Sequence, residues 1–582
     1  MPADAAFMEK LVALCKRRGF IYQSSEIYGG IGGFWDYGPM GVELKRNIKD
    51  QWWHDMVASP PDGPDGHEIE MVGVDCSIIM NPKVWEASGH ATGFVDPMVD
   101  CRNCNARIRA DQLFVLTWFD MRAWRAFEAA HPDLGSPSKR IDELRKEYRQ
   151  ISADEIMSIT RHEIRRAPPM FAKSVIASSA AEAQSRCALT QAEEKHLGDP
   201  ISQGAELYDA YRKRVGQPFY PAPPCPECGA AGYLTEPRAF NLMFESHAGA
   251  LQDEASKVYL RPETAQGIFA NFKNVLDTTR VKVAFGIAQV GKAFRNEINP
   301  RNYTFRSREF EQMEVEFFCH PDTAMQWYDF WRKVRYDWYV KLGLKSDKLR
   351  LRDQGPEELA HYSKACADIE YLFPFSDEFQ ELEGVAHRGN FDLTQHQQFS
   401  GKDLTYFDDE AWERDKPTFG GNKEAEKKAK NAEPYRYLPT VIEPSAGADR
   451  SALAFLCEAY TEDQAPDEKG EPQTRVVMKF HPRLAPIKVA VFPLVNREGM
   501  PDVAYAIYRD VKKHLTAFYD EKGAIGRRYR RQDEVGTPFC VTVDGQTLQD
   551  GTVTIRDRDT LLQVRVGKDH VLTWLREKLG TT

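Results

Sequence analysis

Two neighbouring segments decide the fold: GKAFRNE at residues 291–297 and, after a polar loop that runs through Arg306, REFEQMEVEF at residues 308–317. They read as two β-strands joined by a long loop. Side chains along a strand alternate between its two faces. The second strand therefore has one face for a core and one face for an open polar floor. The core face carries Met313, Val315 and Phe317, and the polar face carries Phe310, Gln312, Glu314 and Glu316.

The polar face has the side chains that a nucleotide and a cationic small substrate require. On the first strand, Arg295 and Glu297 share a face by the same alternation. A guanidinium can hold phosphate, and an aromatic ring such as Phe310 can stack on a base. The alternative is a charged, solvated hairpin with alternating ion pairs. These two segments alone leave both interpretations open.

A third segment, EPSAGADR at residues 443–450, favours the ligand site. Its small residues let the backbone approach a ligand closely. Arg450 opens an apolar helical run, with its charge directed towards the preceding loop. On its own, this segment could be an ordinary capped helix start. Read beside the two strands, it weakens the case for a solvated hairpin.

Together these segments resemble the motifs of class II aminoacyl-tRNA synthetases. FRNE with REFEQME resembles motif 2, and EPSAGADR resembles motif 3 in the form found in glycyl-tRNA synthetases. GFWDYGPMG at residues 33–41 resembles motif 1, whose helix and proline build a dimer interface. RPETAQG at 261–267 and ELEG at 381–384 also match, all in the family's order. The chain is identified as a member of the homodimeric glycyl-tRNA synthetase family, and the resemblance covers nearly the whole chain.

The resemblance implies an α/β (α+β) architecture with three parts. We expect a catalytic domain built on an antiparallel β-sheet flanked by helices, a helical insertion, and a C-terminal α/β anticodon-binding domain. The composition between about Asp111 and Gly216 is charged and alanine-rich, and Ser152 with Glu155 forms a plausible capping box. The expected boundaries are 1–110 for the first catalytic part with motif 1, 111–224 for the insertion, 225–483 for the second catalytic part with motifs 2 and 3, and 484–582 for the anticodon-binding domain.

The resemblance also implies an ATP site. Arg295 is expected at the α-phosphate and Arg450 at the terminal phosphates, with Phe310 stacked on adenine and Mg²⁺ accompanying ATP. Arg295 and Arg450 are the two expected catalytic residues, and they act by positioning and charge stabilisation. The residues expected to bind ATP are Arg295, Asn296, Glu297, Phe305, Arg306, Ser307, Arg308, Glu309, Phe310, Glu381, Leu382, Gly447, Ala448, Asp449 and Arg450.

The implied reaction is activation of glycine by ATP and its transfer to the 3′ end of tRNA(Gly). Carboxylates can surround an α-ammonium group, and a pocket already filled by protein atoms rejects larger amino acids by overlap. The residues expected to bind glycine are Arg109, Glu263, Phe310, Glu311, Gln312, Met313, Glu314, Glu443, Pro444, Ser445, Ala446 and Gly447. The rivals are a synthetase for another small amino acid and a non-catalytic synthetase-like protein, which typically lacks the motif 2 and 3 arginines that remain here.

Two further features concern a metal and RNA. Cys101, Cys104, Cys225 and Cys228 form two CxxC pairs, which can give a tetrahedral structural zinc site if the long intervening segment brings its ends together. The basic segment GRRYRRQDEVGTP at residues 526–538 surrounds an aromatic residue. Such a segment can contact phosphates and bases, or it can be a solvated basic turn.

The length and the charge of the chain limit the remaining expectations. With 582 residues and 42% apolar residues, the chain can form several domains. A formal net charge of -10 argues against a protein that coats nucleic acid, but it permits binding to one defined RNA. No apolar run approaches the length of a membrane span, and residues 1–20 lack a basic head followed by an apolar core. We therefore expect a cytoplasmic protein that contacts no membrane, and the motif 1 resemblance implies a homodimer.

Overall fold

The chain folds into two compact units. One unit combines Met1–Ala91 with Met243–Thr582, and the other spans Thr92–Leu242. The computed structural model describes residues 5–109, 114–119, 171–177, 201–204, 225, 227–230, 233–235, 238–356, 358–360, 363–466 and 472–580.

The strands of the described residues are numbered in chain order. They are β1 Ile21–Gln23, β2 Trp35–Tyr37, β3 Glu70–Gly73, β4 Val95–Asp100, β5 Arg107–Arg109, β6 Phe114–Phe119, β7 Phe171–Ala177, β8 Ile201–Gly204, β9 Arg238–Asn241, β10 Glu245–His247, β11 Lys257–Tyr259, β12 Phe285–Phe294, β13 Glu309–Cys319, β14 Leu349–Asp353, β15 Ala365–Tyr371, β16 Gln380–Gly389, β17 Tyr406–Phe407, β18 Arg436–Tyr437, β19 Thr440–Gly447, β20 Tyr460–Pro466, β21 Pro472–Met478, β22 Val489–Pro493, β23 Ala517–Tyr519, β24 Phe539–Val543, β25 Thr552–Asp557 and β26 Gln563–Gly567.

The α-helices are numbered in the same way. They are α1 Ala5–Arg18, α2 Pro39–Trp53, α3 Pro82–Ala87, α4 His90–Gly93, α5 Ala265–Thr279, α6 Ala324–Lys341, α7 Phe391–Ser400, α8 Asp409–Asp415, α9 Lys423–Lys430, α10 Ala448–Ala459, α11 Met500–Val511, α12 Ile525–Val535, α13 Thr547–Asp550 and α14 Val571–Leu579. None of these helices is both long enough and apolar enough to cross a membrane.

A seven-stranded sheet forms the centre of the first unit. Its strand order is β14-β15-β16-β19-β13-β12-β3, and every neighbouring pair is antiparallel except β12 with β3. Strands β12 and β13 pair from Phe285 with Phe318 to Phe294 with Glu309. The antiparallel pairing predicted from GKAFRNE and REFEQMEVEF is therefore confirmed, but β12 ends at Phe294, so the prediction that Arg295 and Glu297 lie on this strand is wrong.

The alternation predicted for β13 is also confirmed. Met313, Val315 and Phe317 are almost fully buried in a core that includes residues of α2, α6 and α10. Glu314 lies on the opposite face, where Thr264 contacts it just before α5 begins. The face with the polar residues is thus fixed by an apolar core behind it, because apolar burial is the dominant stabilising term of such a sheet.

The motif 1 segment places α2 against the N-terminal part of the chain. The helix begins at Pro39, since proline is favoured at the first helical position. A Cβ atom at Gly41 would overlap the carbonyl oxygen of Phe20, so only glycine permits this approach. The buried side chains Leu44 and Ile48 then join the core behind the sheet.

The charged, proline-containing segments 415–433 and 461–474 read as exposed loops from the sequence alone, but the structure has regular elements in both. Residues 461–466 and 472–474 lie in the antiparallel strands β20 and β21, where Arg475 donates two hydrogen bonds to Asp463 across the strands, at 2.8 and 2.7 Å. Residues 415–433 contain α9, whose N-cap Asn422 accepts a hydrogen bond from the backbone N–H of Ala425 at 3.2 Å. Both loop predictions were wrong because cross-strand ion pairs and caps stabilise elements with little apolar content.

The second unit contains two three-stranded antiparallel sheets. Their strand orders are β5-β4-β9 and β7-β6-β8. The second sheet falls inside the predicted helical insertion, so the described segments of that insertion are strands, and the helical prediction is wrong for them. The capping box of Ser152 and Glu155 lies outside the described residues.

The C-terminal part forms a five-stranded sheet with strand order β23-β22-β24-β25-β26. Its core includes Val489, Val541 and Ile555 and is closed by α11 and α14. The expected C-terminal α/β domain is confirmed. Most of the basic segment 526–538 forms α12, in which Arg528 is buried and donates hydrogen bonds to the carbonyls of Pro493 and Leu494 at 2.5 and 3.0 Å.

Candidate active site

Glu314 stands at the centre of the polar face, and three side chains fix its carboxylate. The hydroxyl of Ser445 donates to one oxygen at 2.7 Å, and the amide of Gln312 donates to the same oxygen at 3.3 Å. The hydroxyl of Thr264 donates to the other oxygen. Strand pairing explains the arrangement, since β13 and β19 place Glu314 directly opposite Ser445. The carboxylate is therefore held in one orientation.

Glu443 is bound by an arginine that the sequence analysis did not identify. Arg388, near the end of β16, donates two hydrogen bonds to Asp392 at 2.9 and 3.0 Å, and it also donates to Glu443. The Arg388 side chain is only 4% exposed. A guanidinium with two carboxylates in a dry site is a strong, directional interaction. Arg388 therefore fixes the position of Glu443.

Glu263 completes the set of carboxylates. It accepts a hydrogen bond from Gln266 at 3.0 Å, and His90 Nε2 lies 3.4 Å from its second oxygen. The same amide of Gln266 donates to Asp392 at 3.0 Å. Glu263 and Glu443 are thus joined in one hydrogen-bonded network through Gln266, Asp392 and Arg388, whereas Glu314 is held separately by Ser445, Gln312 and Thr264.

The pKa values reflect this concentration of acidic groups. Burial works against ionisation of Glu263, but the electrostatic interactions with His90 and Arg388 hold its pKa below the usual value. Burial and the charge of Glu263 raise the pKa of Glu314. Burial raises the pKa of Glu443 to about 8; the charge of Arg388 opposes this rise, and the charges of Glu314 and Glu263 add to it. A cation entering this site would relieve the repulsion between the carboxylates.

The predicted phosphate-binding arginines lie beside aromatic rings. Arg295 donates from Nε to the carbonyl of Pro262 at 3.0 Å, and its Cζ lies 5.5 Å from the ring centroid of Phe310. Arg450 donates to the carbonyl of Glu381 at 2.9 Å, and its Cζ lies 4.6 Å from the ring centroid of Phe305. These contacts fix the two guanidinium groups, and a cation–π contact of this kind is worth about 0.5–2 kcal/mol.

Arg308 helps to hold the loop segment that carries Arg295. Its guanidinium donates to the carbonyl of Glu297 at 3.1 and 2.8 Å and to the carbonyl of Gly32 at 2.8 Å. The backbone N–H of Arg295 in turn donates to the carbonyl of Arg308 at 2.9 Å. These hydrogen bonds therefore join the two ends of the loop between β12 and β13 to each other, and they join the loop to Gly32, just before the motif 1 segment.

Two predicted ligand residues instead pair with lysines of α2. Lys45 lies 2.7 Å from both Glu311 and Asp449, and Lys49 lies 2.9 Å from Glu311. Asp449 also accepts a hydrogen bond from the backbone N–H of Glu311 at 2.7 Å. These bonds join motif 1 to motifs 2 and 3. The roles of Glu311 and Asp449 in binding a ligand stay predictions.

The other predicted residues occupy several environments. Met313, Leu382, Ala446 and Ala448 are buried on the core side of the sheet. Arg109 belongs to the second unit, where it forms an ion pair with Asp96 at 2.8 Å. The residues that are half-buried are Asn296, Glu297, Arg306, Arg308, Glu309, Phe310 and Gly447, and those that are buried are Ser307 and Pro444.

Several residues of the network were missed by sequence reasoning. Thr264 and Gln266 stood inside the quoted RPETAQG segment, but no pattern marked them as partners of Glu314 and Glu263. Arg388 and Asp392 are four residues apart, a spacing that also occurs in ordinary surface ion pairs. His90 carried no signal in the sequence. Their roles depend on contacts between distant strands.

The four cysteines of the CxxC pairs meet in the second unit. The Sγ atoms of Cys101 and Cys228 lie 3.8 Å apart, as do those of Cys104 and Cys225, and all four lie within 4.8 Å of one another. Four thiolates around one zinc at about 2.3 Å are separated by roughly 3.8 Å in a tetrahedron. The donor set and its spacing therefore fit a zinc ion.

Comparison with known proteins identifies the family. The family described as the tRNA synthetase class II core domain (G, H, P, S and T) matches residues 243–419, and the anticodon binding domain family matches residues 488–578. The glycine–tRNA ligase of Rhodopirellula baltica is 50% identical to this chain, covering 98% of this chain and 99% of its own. The glycine–tRNA ligase of Geobacillus kaustophilus is 43% identical, with 99% and 100% covered. The chain belongs to the glycine–tRNA ligase family.

Membership of the glycine–tRNA ligase family confirms two predictions. The seven-stranded sheet is the class II synthetase core, and the C-terminal five-stranded sheet belongs to the anticodon-binding domain. A third relative, the glycine–tRNA ligase of Thermobifida fusca, is 42% identical over the full length of both chains. The family assignment therefore rests on the whole chain and not on the core alone.

Substituting Arg388 tests whether the carboxylate network depends on it. Arg388→Met should lower the free energy of unfolding by about 3–5 kcal/mol, because Asp392 and Glu443 lose a buried cation. Arg350→Met, which breaks a half-exposed pair with Glu370 in the same sheet, should cost about 1 kcal/mol or less. Urea unfolding of the two variants checks this difference, and equal losses would contradict it.

Proposed function

We propose that this chain activates glycine with ATP and transfers it to the 3′ end of tRNA(Gly). The observation that carries the proposal is the set of three glutamates, Glu263, Glu314 and Glu443, which are at most 14% exposed, beside the two arginines of motifs 2 and 3. The carboxylates suit the α-ammonium group of an amino acid. The arginines suit the phosphates of a nucleotide.

In the first step, the carboxylate of glycine attacks the α-phosphorus of ATP, and pyrophosphate leaves. Arg295 stabilises the charge that develops at the α-phosphate, and Arg450 holds the terminal phosphates. Mg²⁺, when bound with ATP, would supply further positive charge beside the phosphate groups. In the second step, the terminal ribose hydroxyl of the tRNA attacks the carbonyl of glycyl-adenylate, and AMP leaves. No side chain acts as a nucleophile, so positioning and electrostatics supply the catalysis.

The same carboxylates can account for the choice of glycine. Glu314 is locked by Ser445 and Thr264, and Glu443 is locked by Arg388, so neither group can move aside for a larger substrate without breaking hydrogen bonds. A substrate methyl group would have to displace protein atoms in a dense, buried site. This rejection by overlap needs no separate hydrolytic domain.

The remaining partners follow from the family's architecture. We expect tRNA(Gly) to contact the C-terminal domain, where Arg527 is the exposed arginine of α12. We expect a cytoplasmic homodimer that uses the motif 1 region. Next to motif 1, Ile27 and Tyr28 are 88% and 87% exposed, which suits coverage by a second copy.

We further propose that the four cysteines of the second unit hold a structural zinc ion. Both CxxC turns have the backbone geometry of a metal knuckle, because the N–H of Asn105 donates to the carbonyl of Cys101 and the N–H of Gly229 donates to that of Cys225, each at 2.8 Å. Zinc bound to four thiolates has no open position for substrate, so its role would be to stabilise the fold.

ATP–pyrophosphate exchange tests the activity and the site together. The protein should catalyse exchange with glycine and not with alanine or serine. Arg295→Ala should lower the rate at least about 100-fold, because a preorganised charge at the reacting phosphate is removed. Arg414→Ala, at a 72% exposed arginine, should leave the rate within about twofold. No exchange by folded protein, or equal exchange with alanine, would contradict the proposal.

Metal analysis of the full chain tests the zinc proposal. The purified protein should contain about one zinc ion per chain, because four thiolates complete one tetrahedral site. Cys104→Ser and Cys228→Ser should each remove it. Cys366→Ser, at a half-buried cysteine of β15, serves as the control and should leave the zinc content unchanged. Equal zinc content in all of these proteins would show that the cysteine cluster does not bind the metal.

A further inference from the structure

Glu316 is a fourth buried glutamate on the polar face, and the reaction above does not use it. It lies on β13 two residues after Glu314, and its side chain is fully buried. Neither of its carboxyl oxygens has a hydrogen-bond partner among the residues that the structure describes. A buried ionised carboxylate without a partner is strongly disfavoured, whereas a protonated one costs much less. Its environment therefore favours the neutral acid.

The strand register places Glu316 against a predicted substrate residue. Strands β13 and β19 pair Glu314 with Ser445 and Phe317 with Ile442, so Glu316 lies opposite Glu443. Carboxyl oxygens of Glu314, Glu316 and Glu443 lie within 4.8 Å of one another. Like charges directly opposite on neighbouring strands repel each other. A single proton on Glu316 removes this repulsion and provides a donor.

The charged groups around Glu316 lead to the same protonation state. Glu314 lies on its own strand, Glu443 lies on β19, and Asp392 lies on α7. Arg388 of β16 is the facing cation, and its charge is already shared by Asp392 and Glu443. Burial, followed by the charge of Glu443, raises the pKa of Glu316 well above its usual value.

The hydrogen bonds of the neighbouring glutamates determine where the proton would be donated. Both oxygens of Glu314 already accept hydrogen bonds, from Ser445 and from Thr264. Glu443 accepts from Arg388 through Oε2. Its Oε1 atom is therefore the natural acceptor for an acid on the opposite strand, and a second lone pair on each oxygen still serves a ligand.

We propose that Glu316 is a positioning residue of the glycine site: it remains a neutral carboxylic acid and donates a hydrogen bond to Glu443, which turns that carboxylate towards the ammonium group of the substrate. This inference rests on the proposed function. Glu316 itself does not touch glycine. It gives Glu443 a fixed orientation, as Ser445 and Thr264 do for Glu314, without adding a further negative charge.

Two substitutions separate the donor from the charge. E316L keeps a side chain of similar size but removes the donor, so the KM for glycine in ATP–pyrophosphate exchange should rise about tenfold. E316Q keeps a donor without a charge and should restore the KM to within about threefold of the unaltered protein. The KM for ATP and the thermal midpoint should change little in both variants, because the loss concerns one hydrogen bond in the amino-acid pocket.

The outcomes are distinguishable. A tenfold rise in KM for E316Q would mean that an ionised Glu316 attracts the ammonium group, and an unchanged KM for E316L would mean that the donor has no role. Either result overturns the proposal. An unaltered protein that fails to catalyse exchange would instead refute the proposed function.

An infrared difference spectrum provides a test that does not depend on activity. The spectrum of the unaltered protein minus that of E316Q at about pH 7 should contain the carbonyl-stretch band of a protonated carboxylic acid. A difference that contains only the bands of an ionised carboxylate would overturn the proposal. Because E316Q is nearly isosteric, this comparison can be made on two folded proteins.

Discussion

The predicted amino-acid site depends on one electrostatic constraint: the polar face of the seven-stranded sheet buries more carboxylates than cations. Glu263, Glu314 and Glu443 converge there, and Arg388 is shared between Glu443 and Asp392. Burying charge is tolerated only where partners and hydrogen bonds compensate for it. The apolar core on the opposite face holds β13 and β19 in place, so the carboxylates cannot separate to reduce their repulsion. The site is therefore suited to a cationic ligand before one arrives.

The three motifs of the class II core are also connected by charge. Lys45 on α2 bridges Glu311 of motif 2 and Asp449 of motif 3. Its Nζ atom also lies 4.4 Å from the ring centroid of Tyr37. Desolvation of these groups is offset by their mutual attraction, which lowers the pKa of Glu311. Helix α2, which begins within motif 1, thus contacts residues of motifs 2 and 3 that belong to the predicted ATP and glycine sites. A change in α2 can alter the spacing of motifs 2 and 3.

The sequence predicted the parts of this site that depend on local periodicity. The alternation along REFEQMEVEF placed Glu314 on the polar face and Met313 in the core, and the motif resemblance identified the family. Arg388 and His90 were missed because the glutamates that they contact, Glu443 and Glu263, lie far from them in the chain. The β20–β21 hairpin was mistaken for a loop because ion pairs, such as Arg475 with Asp463, replace apolar residues in it. Long-range polar pairing leaves little signal in a single sequence.

The central claim is that the buried carboxylates select a ligand with an ammonium group. Calorimetric titration with two non-hydrolysable adenylate analogues tests it most directly: one carries the glycyl group, and the other carries a hydroxyl in place of the amine. The account predicts that the hydroxyl analogue binds at least about 100-fold more weakly, because a charge-assisted contact with buried carboxylates is lost. Equal affinity for the two analogues would contradict it.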